Sequence, residues 1–221
     1  MILPCFCWAV ASYAQPENTT PTWGFRVGPG FSRVVNDEAL DEHARNFAPA
    51  AGLFGNYYFS ERMSLQAEID LLPGGARFSS HDITMHLTYL QVPVMARYAF
   101  FDDPKVYLLG GVYGGYLLGA NTKGLYADLE RDEQVDEDIG EHLKSLDYGI
   151  CFGLGVQGRF NSSVDIFAEL RFHQGMRNIV KHPGDERYNL SIPMRYPFEY
   201  DKPKHQATLL SVGCIFYLYE R

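Results

Sequence analysis

Polar and apolar residues alternate along most of this chain with a period of two, and segments with the 3.6-residue period of an amphipathic helix are nearly absent. In residues 164–173, for example, Val164, Ile166 and Leu170 share one face of an extended chain, whereas Asp165 and Glu169 share the other. Such alternation is typical of β-strands that separate two different environments. The predicted strands span residues 23–35, 47–60, 63–72 with an extension to 78 left open, 87–100, 105–120, 147–160, 164–179 and 206–219.

The connections between these eight predicted strands alternate strictly between short and long. The short ones are residues 61–62, 101–104 and 161–163, and the long ones are residues 36–46, 79–86, 121–146 and 180–205. An even number of strands, with short periplasmic turns at one end and long loops at the other, is the pattern of bacterial outer-membrane barrels. A soluble sandwich has no reason to sort its loops in this way. The sequence therefore predicts an all-β, eight-stranded antiparallel up-and-down transmembrane β-barrel with both termini in the periplasm.

The apolar face of each strand is predicted to contact lipid, because eight strands enclose only enough space for side chains and could not hold four or five large apolar residues from each strand. The opposite face, rich in Gly with some charged residues, fits a narrow lumen. A polar network is predicted in the lumen from Arg26, Glu68, Asp70, Gln91, Arg97, Arg159, Glu169, Arg171 and His173. Gln157 and Asp165 lie on the same face. Since both signs of charge occur, we predict an ion-paired plug rather than a conducting path.

Composition narrows the class of protein further. No stretch of about 18 apolar residues occurs, which excludes a transmembrane helix. The formal net charge of −8 argues against nucleic-acid binding. Tyr and Phe, 15 of each, cluster where the strands reach the short turns, as expected for an interfacial girdle.

The beginning of the chain is predicted to be a targeting segment. Residues 1–14 are uncharged and mostly apolar, and Ser12 and Ala14 are small residues at the positions that precede a signal-peptidase cut. We therefore predict a signal peptide at 1–14, a short periplasmic segment at 15–22 and the barrel at 23–221.

The last predicted strand resembles the C-terminal assembly signal of bacterial outer-membrane barrels, polar-x-Gly-x-x-apolar-x-apolar. Its sequence is Ser-Val-Gly-Cys-Ile-Phe-Tyr-Leu over residues 211–218, and the signal positions are Ser211, Gly213, Phe216 and Leu218. The resemblance implies recognition by the barrel-assembly machinery, to which an alternating edge strand can pair by strand addition. The chain departs from the pattern in that Glu220 and Arg221 follow.

Several further segments resemble the small PorT-like barrels of Bacteroidota. Residues 89–98 read Tyr-Leu-Gln-Val-Pro-Val-Met-Ala-Arg-Tyr, and similar segments are Phe-Arg-Val-Gly at 25–28, Gly52 before a Tyr/Phe run, and Glu-Leu-Arg at 169–171. The resemblance covers most of residues 23–219 and implies the fold and the outer-membrane location. The family takes its name from a member linked to type IX secretion, and most members have no assigned role.

Three functions from different classes remain open. The favoured one is a non-enzymatic anchor or complex subunit that contacts protein partners through residues 121–146 and 180–205. The others are a small-solute pore and, less favoured, a lipid-modifying enzyme. His173 and Glu169 share the lumen face, but no Ser is placed to complete a nucleophile–base pair, so no catalytic residue is predicted.

The third long loop has enough carboxylates for a metal-ion site to be considered. Residues 128–141 are dense in carboxylates but lack the spacing of an EF-hand. We predict a solvated acidic loop, with no metal ion or cofactor.

Overall fold

A computed structural model of the chain describes residues 21–35, 43–44, 46–78, 83–128, 131–181 and 204–217. The predicted signal peptide lies outside these residues. The strands are β1 (Thr22–Val35), β2 (His43–Ala44), β3 (Asn46–Tyr58), β4 (Met63–Phe78), β5 (Ile83–Ala99), β6 (Lys105–Asp128), β7 (Arg131–Asp138), β8 (Leu146–Arg159), β9 (Val164–Gly175) and β10 (Lys204–Tyr217). A 3-10 helix covers Gly140–His142. No helix among the described residues is long and apolar enough to cross a membrane.

Eight of the strands close into an antiparallel barrel. The order around it is β1, β3, β4, β5, β6, β8, β9 and β10, and β10 pairs back to β1. The two additional strands pair with barrel strands nearer the chain's longer connections: β2 pairs with β4 beyond its ladder with β3, and β7 pairs with β6 beyond its ladder with β8. The predicted eight-stranded barrel is therefore confirmed.

The two ends of the barrel differ as predicted. At one end, here called the short-turn end, β3–β4, β5–β6 and β8–β9 are joined by tight turns, and the bonds Phe59 N to Met63 O (2.9 Å) and Phe160 N to Val164 O (3.0 Å) close two of them. β1 begins and β10 ends there, since Thr22 is the register partner of Tyr217. The opposite end is called the long-loop end.

At the long-loop end the strands continue into segments that were predicted to be loops. β4 reaches Phe78, the extension that was left open, and β5 begins at Ile83, so the predicted loop at 79–86 is shortened at its C-terminal side. β6 reaches Asp128 and pairs with β7, so most of 121–146 is a β-hairpin and not the loop that was predicted. Pairing satisfies the backbone N–H and C=O groups of these polar segments, which gives them a reason to be strands without an apolar face.

The predicted assignment of the two strand faces is confirmed. On β8, Phe152 and Leu154 point outward and are each 52% exposed, whereas Cys151 and Gln157 point inward and are buried. At the short-turn end the exposed aromatic side chains are Tyr57, Phe59, Tyr98, Phe100, Phe101 and Phe160. The outward face is thus an apolar band bordered by aromatic rings, which is the surface that a bilayer requires.

Candidate functional site in the barrel lumen

Five charged side chains form the centre of the lumen, and we call them the ionic cluster: Arg26, Glu68, Asp70, Glu169 and Arg171. Arg171 binds Glu68 in a two-pronged manner, with Nη1 2.5 Å from Oε2 and Nη2 2.7 Å from Oε1. Its Nε also pairs with Glu169. Arg26 lies 2.6 Å from Asp70 and 3.3 Å from Glu68. The side chains of Arg171 and Glu68 have no exposed area at all.

The local sequence explains why these charges meet. Glu68 and Asp70 are two residues apart on β4, and Glu169 and Arg171 are two residues apart on β9, so each pair shares the inward face of its strand. β4 and β9 lie four strands apart in either direction around the barrel. The Arg171–Glu68 pair therefore spans the lumen from wall to wall and blocks it. A buried pair of this kind is tolerated only with good geometry and additional hydrogen bonds, which the two-pronged contact and a bond from Gln66 to Glu68 supply.

A second set of polar contacts, the basal chain, continues from the ionic cluster to the short-turn end. It contains Arg97, Tyr107, Gln157, Asp165 and Tyr217. The Tyr107 hydroxyl donates to Glu169 at 3.0 Å, and the Arg97 guanidinium lies 3.6 Å from the centre of the Tyr107 ring. Arg97 also donates to Gln157, whose amide donates to Asp165 at 2.6 Å, and Tyr217 donates to Asp165 at 2.7 Å. The polar plug thus extends from the centre of the barrel to its base.

The plug leaves no space at Gly155, and this makes a testable contrast within β8. A Cβ added at Gly155 would lie 2.3 Å from Tyr107 Cζ, whereas one added at Gly158 would meet no heavy atom within 4 Å. We expect Gly155→Ala to displace the Tyr107 ring and to lower the free energy of unfolding by about 1–3 kcal/mol. Gly158→Ala is the control and should change it by less than about 0.5 kcal/mol. Urea unfolding in detergent micelles measures both, and equal effects would show that Tyr107 does not pack on Gly155.

Of the nine residues predicted to form the lumen network, six join it: Arg26, Glu68, Asp70, Arg97, Glu169 and Arg171. The prediction for Arg159 was wrong: its side chain is exposed, because it is the last residue of β8. Gln91 and His173 are buried in the lumen, but their side chains have no hydrogen-bond partner among the described residues. Tyr107, Tyr217 and Gln66 were not predicted.

Four apolar residues close the long-loop end, and we call them the apolar cap: Ile139, Leu143, Ile179 and Val180. They pack on inward-facing Val34, Met85, Leu87, Tyr89, Leu117 and Ala120. Backbone bonds hold the two halves of the cap together, from Lys144 N to Ile179 O at 2.8 Å and from Lys181 N to His142 O at 3.1 Å. β9 ends at Gly175 rather than at the predicted 179 because the chain here turns into the cap. The mouth of the barrel is therefore covered by apolar side chains.

The residues of the predicted assembly signal lie on β10. Ser211 and Gly213 face the lumen, and Phe216 stacks on Trp23 of β1 with ring centroids 4.5 Å apart. Leu218 lies outside the described residues. The structure places these residues without testing their role, which stays a prediction.

Comparison with known proteins places this barrel in a family. The model of the outer membrane protein beta-barrel domain matches residues 13–181. The chain belongs to this family. It is accordingly a protein of the bacterial outer membrane. No curated protein matches the chain.

Solved structures with a similar chain path are outer-membrane proteins of the same kind. Ail, the attachment invasion locus protein of Yersinia pestis, is 16% identical over 89% of this chain and 99% of its own, with a TM-score of 0.43. OprG of Pseudomonas aeruginosa is 11% identical over 90% and 97%, with a TM-score of 0.44. Neisserial surface protein A is 11% identical over 88% and 96%, with a TM-score of 0.43. At these scores the similarities support no statement about function.

Two kinds of site, a metal-ion site and a catalytic pair, were raised by the sequence and can be compared with the described residues. No group of three or more His, Cys, Asp or Glu side chains is placed to hold a metal ion in the described part of the chain. Of the carboxylate-rich segment 128–141, only the side chains of residues 138–141 are described. Glu169, which a catalytic pair with His173 would require, is instead held by Arg171 and Tyr107.

Proposed function

We propose that this chain is a non-enzymatic outer-membrane anchor or complex subunit whose barrel does not conduct. The observation that carries the proposal is the Arg171–Glu68 pair, which crosses the whole lumen. The apolar cap covers the same route from outside. A barrel filled by polar contacts and covered at its mouth is suited to hold an extracellular structure in place. The competing function is a narrow pore for small solutes.

Conductance separates these two functions. We expect purified wild-type protein in planar bilayers to give no steady single-channel current, because the ionic cluster and basal chain fill the lumen. The double variant Arg171→Ala/Glu68→Ala is the positive control. It removes the pair that crosses the lumen, so a current from it would show that conducting barrels are detected in the same bilayers. A steady, solute-permeable current from the wild type would replace the anchor proposal with the pore.

We propose that partner contact takes place through the β6–β7 hairpin and through residues 182–203, which lie outside the described residues. The hairpin is supported by its position: among the described residues, β7 pairs with β6 and with no other strand. Gentle detergent extraction of a tagged copy, followed by mass spectrometry, tests the proposal. A stoichiometric partner that is lost when residues 125–134 are replaced by a short Gly-Ser turn supports it, provided that the variant remains heat-modifiable. Recovery of the barrel alone, even after cross-linking in cells, contradicts it.

We also propose that the chain is one of the PorT-like barrels of Bacteroidota, with outer-membrane lipid and the barrel-assembly machinery as its partners during biogenesis. The support is the set of segments around residues 25–28, 89–98 and 169–171, together with Ser211, Gly213, Phe216 and Leu218 of the assembly signal. Gly213→Lys is expected to reduce assembly, since Gly213 packs against Phe167 and a Cβ there would already lie 2.1 Å from the Phe25 carbonyl oxygen. The amount of heat-modifiable protein in outer-membrane fractions measures this.

A further inference from the structure

Four polar side chains lie between the ionic cluster and the apolar cap, and we call them the polar layer: Tyr89, Gln91, His173 and His205. Each is fully buried. Every side-chain nitrogen and oxygen of these four residues is without a hydrogen-bond partner in the part of the chain that the structure describes. Buried polar groups in proteins are almost always hydrogen-bonded, so a group of neighbours without partners needs an explanation.

The members of the polar layer pack against neighbouring rings and against glycines of the wall. The rings of Tyr89 and His205 have centroids 5.3 Å apart, and those of Tyr113 and His173 are 5.5 Å apart. A Cβ built on Gly74 would lie 3.0 Å from Tyr89 Cε2 and 3.1 Å from His205 Nε2, and one built on Gly175 would lie 3.4 Å from the Tyr113 hydroxyl. Tyr89 and His205 therefore pack together over Gly74, and the Tyr113 hydroxyl reaches Gly175.

Gln91 places the polar layer next to the ionic cluster. It lies directly opposite Asp70 on the neighbouring strand. Asp70 Oδ2 binds Arg26, but its Oδ1 has no partner among the described residues. The two side chains lean apart, since Asp70 Oδ1 lies against Gly52 of β3 and the Gln91 amide nitrogen lies toward Gly115 of β6. Each of these buried polar groups is therefore left to bind a small molecule that accepts and donates hydrogen bonds.

We propose that the polar layer is a binding site for ordered water, enclosed between the ionic cluster and the apolar cap. Neutral imidazole presents one donor and one acceptor, the Gln91 amide presents both kinds, and the Tyr89 hydroxyl donates and accepts. Water matches this mixture, and internal water typically binds to buried polar groups that lack protein partners. A transition metal is the other ligand that two imidazoles can take, but no third ligand stands with them within the described residues. Because ionic side chains lie on one side and apolar ones on the other, the water exchanges slowly with bulk solvent.

The sign of a stability change tests the proposal. Tyr89→Phe removes only the hydroxyl oxygen, and Gln91→Met replaces the amide at nearly constant volume. If water binds these groups, both variants lose hydrogen bonds and the urea midpoint falls. If the layer is dry, both variants remove an unpaired buried polar group and the midpoint rises. Tyr113→Phe is the matched control, since its hydroxyl donates to Asp147 at 3.1 Å and its loss should lower the midpoint in either case. A rise or no change for Tyr89→Phe and Gln91→Met overturns the proposal.

A direct measurement on the wild type keeps the test independent of how well the variants fold. We expect solution NMR of deuterated protein in micelles, with ¹⁵N-labelled histidine, to show cross-relaxation between water and the imidazole N–H protons of His173 and His205. These N–H protons should also persist for longer than those of the partly exposed His142. Imidazole protons that relax only with protein protons would show that the side chains find partners within the protein, and the proposal would then fail.

Discussion

Arg171→Met is expected to lower the free energy of unfolding by about 3–5 kcal/mol, the range for removing one partner of a buried ion pair. The methionine side chain fills much of the same volume but leaves Glu68 and Glu169 facing each other without the guanidinium that both contact. Arg26 still lies 3.3 Å from Glu68 but is already bound to Asp70. Urea unfolding in detergent micelles, followed by tryptophan fluorescence, measures the change.

The control for this variant is Arg62→Met. Arg62 lies 3.9 Å from Asp102 at the short-turn end, where its side chain is 54% exposed. Exposed pairs of this kind contribute less than about 1 kcal/mol. Adding Glu68→Gln to Arg171→Met should restore part of the loss, because the double variant buries one carboxylate fewer. Equal effects of Arg171→Met and Arg62→Met would contradict the central role given to the ionic cluster.

Leu143→Ala is expected to destabilise the apolar cap by about 2–5 kcal/mol, the range for truncating a buried leucine. Leu143 has no exposed area and packs with Ile139, Ile179 and Val180 above the lumen. Since the four cap residues lie outside the strands of the barrel, most of the loss should appear as local opening. Amide hydrogen exchange should therefore accelerate at Lys144 and Lys181, whose N–H groups bridge the two halves of the cap.

Leu146→Ala provides the comparison for the cap. Leu146 is only three residues further along and points outward, with 58% of its side chain exposed. Its truncation should leave exchange at Lys144 and Lys181 unchanged. If Leu143→Ala accelerates exchange equally at amides throughout the barrel, then the cap and the wall unfold as one unit, and the local opening expected here does not occur.

The sequence was sufficient to predict the barrel and the face on which each lumen residue lies, because period-two alternation reports the face directly. Alternation does not show how far along the barrel axis a residue lies. Arg159 and Gln157 have the same phase on β8, yet Gln157 is buried and Arg159 is exposed. Height depends on strand tilt and on the point where the wall ends, neither of which alternation records.

The cap and the hairpin escaped prediction for a different reason. Ile139, Leu143, Ile179 and Val180 meet through contacts between segments far apart in the chain, and they follow no period. β7 carries mostly charged residues, so its pairing with β6 leaves no apolar stripe to detect. Tyr107 has an inward phase in β6, but tyrosines are also typical of the outward face of barrel strands, so its bond to Glu169 could not be predicted from the sequence.

The barrel closes through a ladder between its first and last strands, so the wall does not depend on where the chain begins and ends. Seven of the eight ladders join strands that follow one another around the wall in chain order, and only β1–β10 joins strands from opposite ends of the sequence. Thr22 and Tyr217 are paired at that seam, so a few linking residues could connect them there. A circular permutant joined across the seam, and opened within residues 182–203, would keep all eight ladders and the Arg171–Glu68 pair, while exchanging which strand is made first and which is made last.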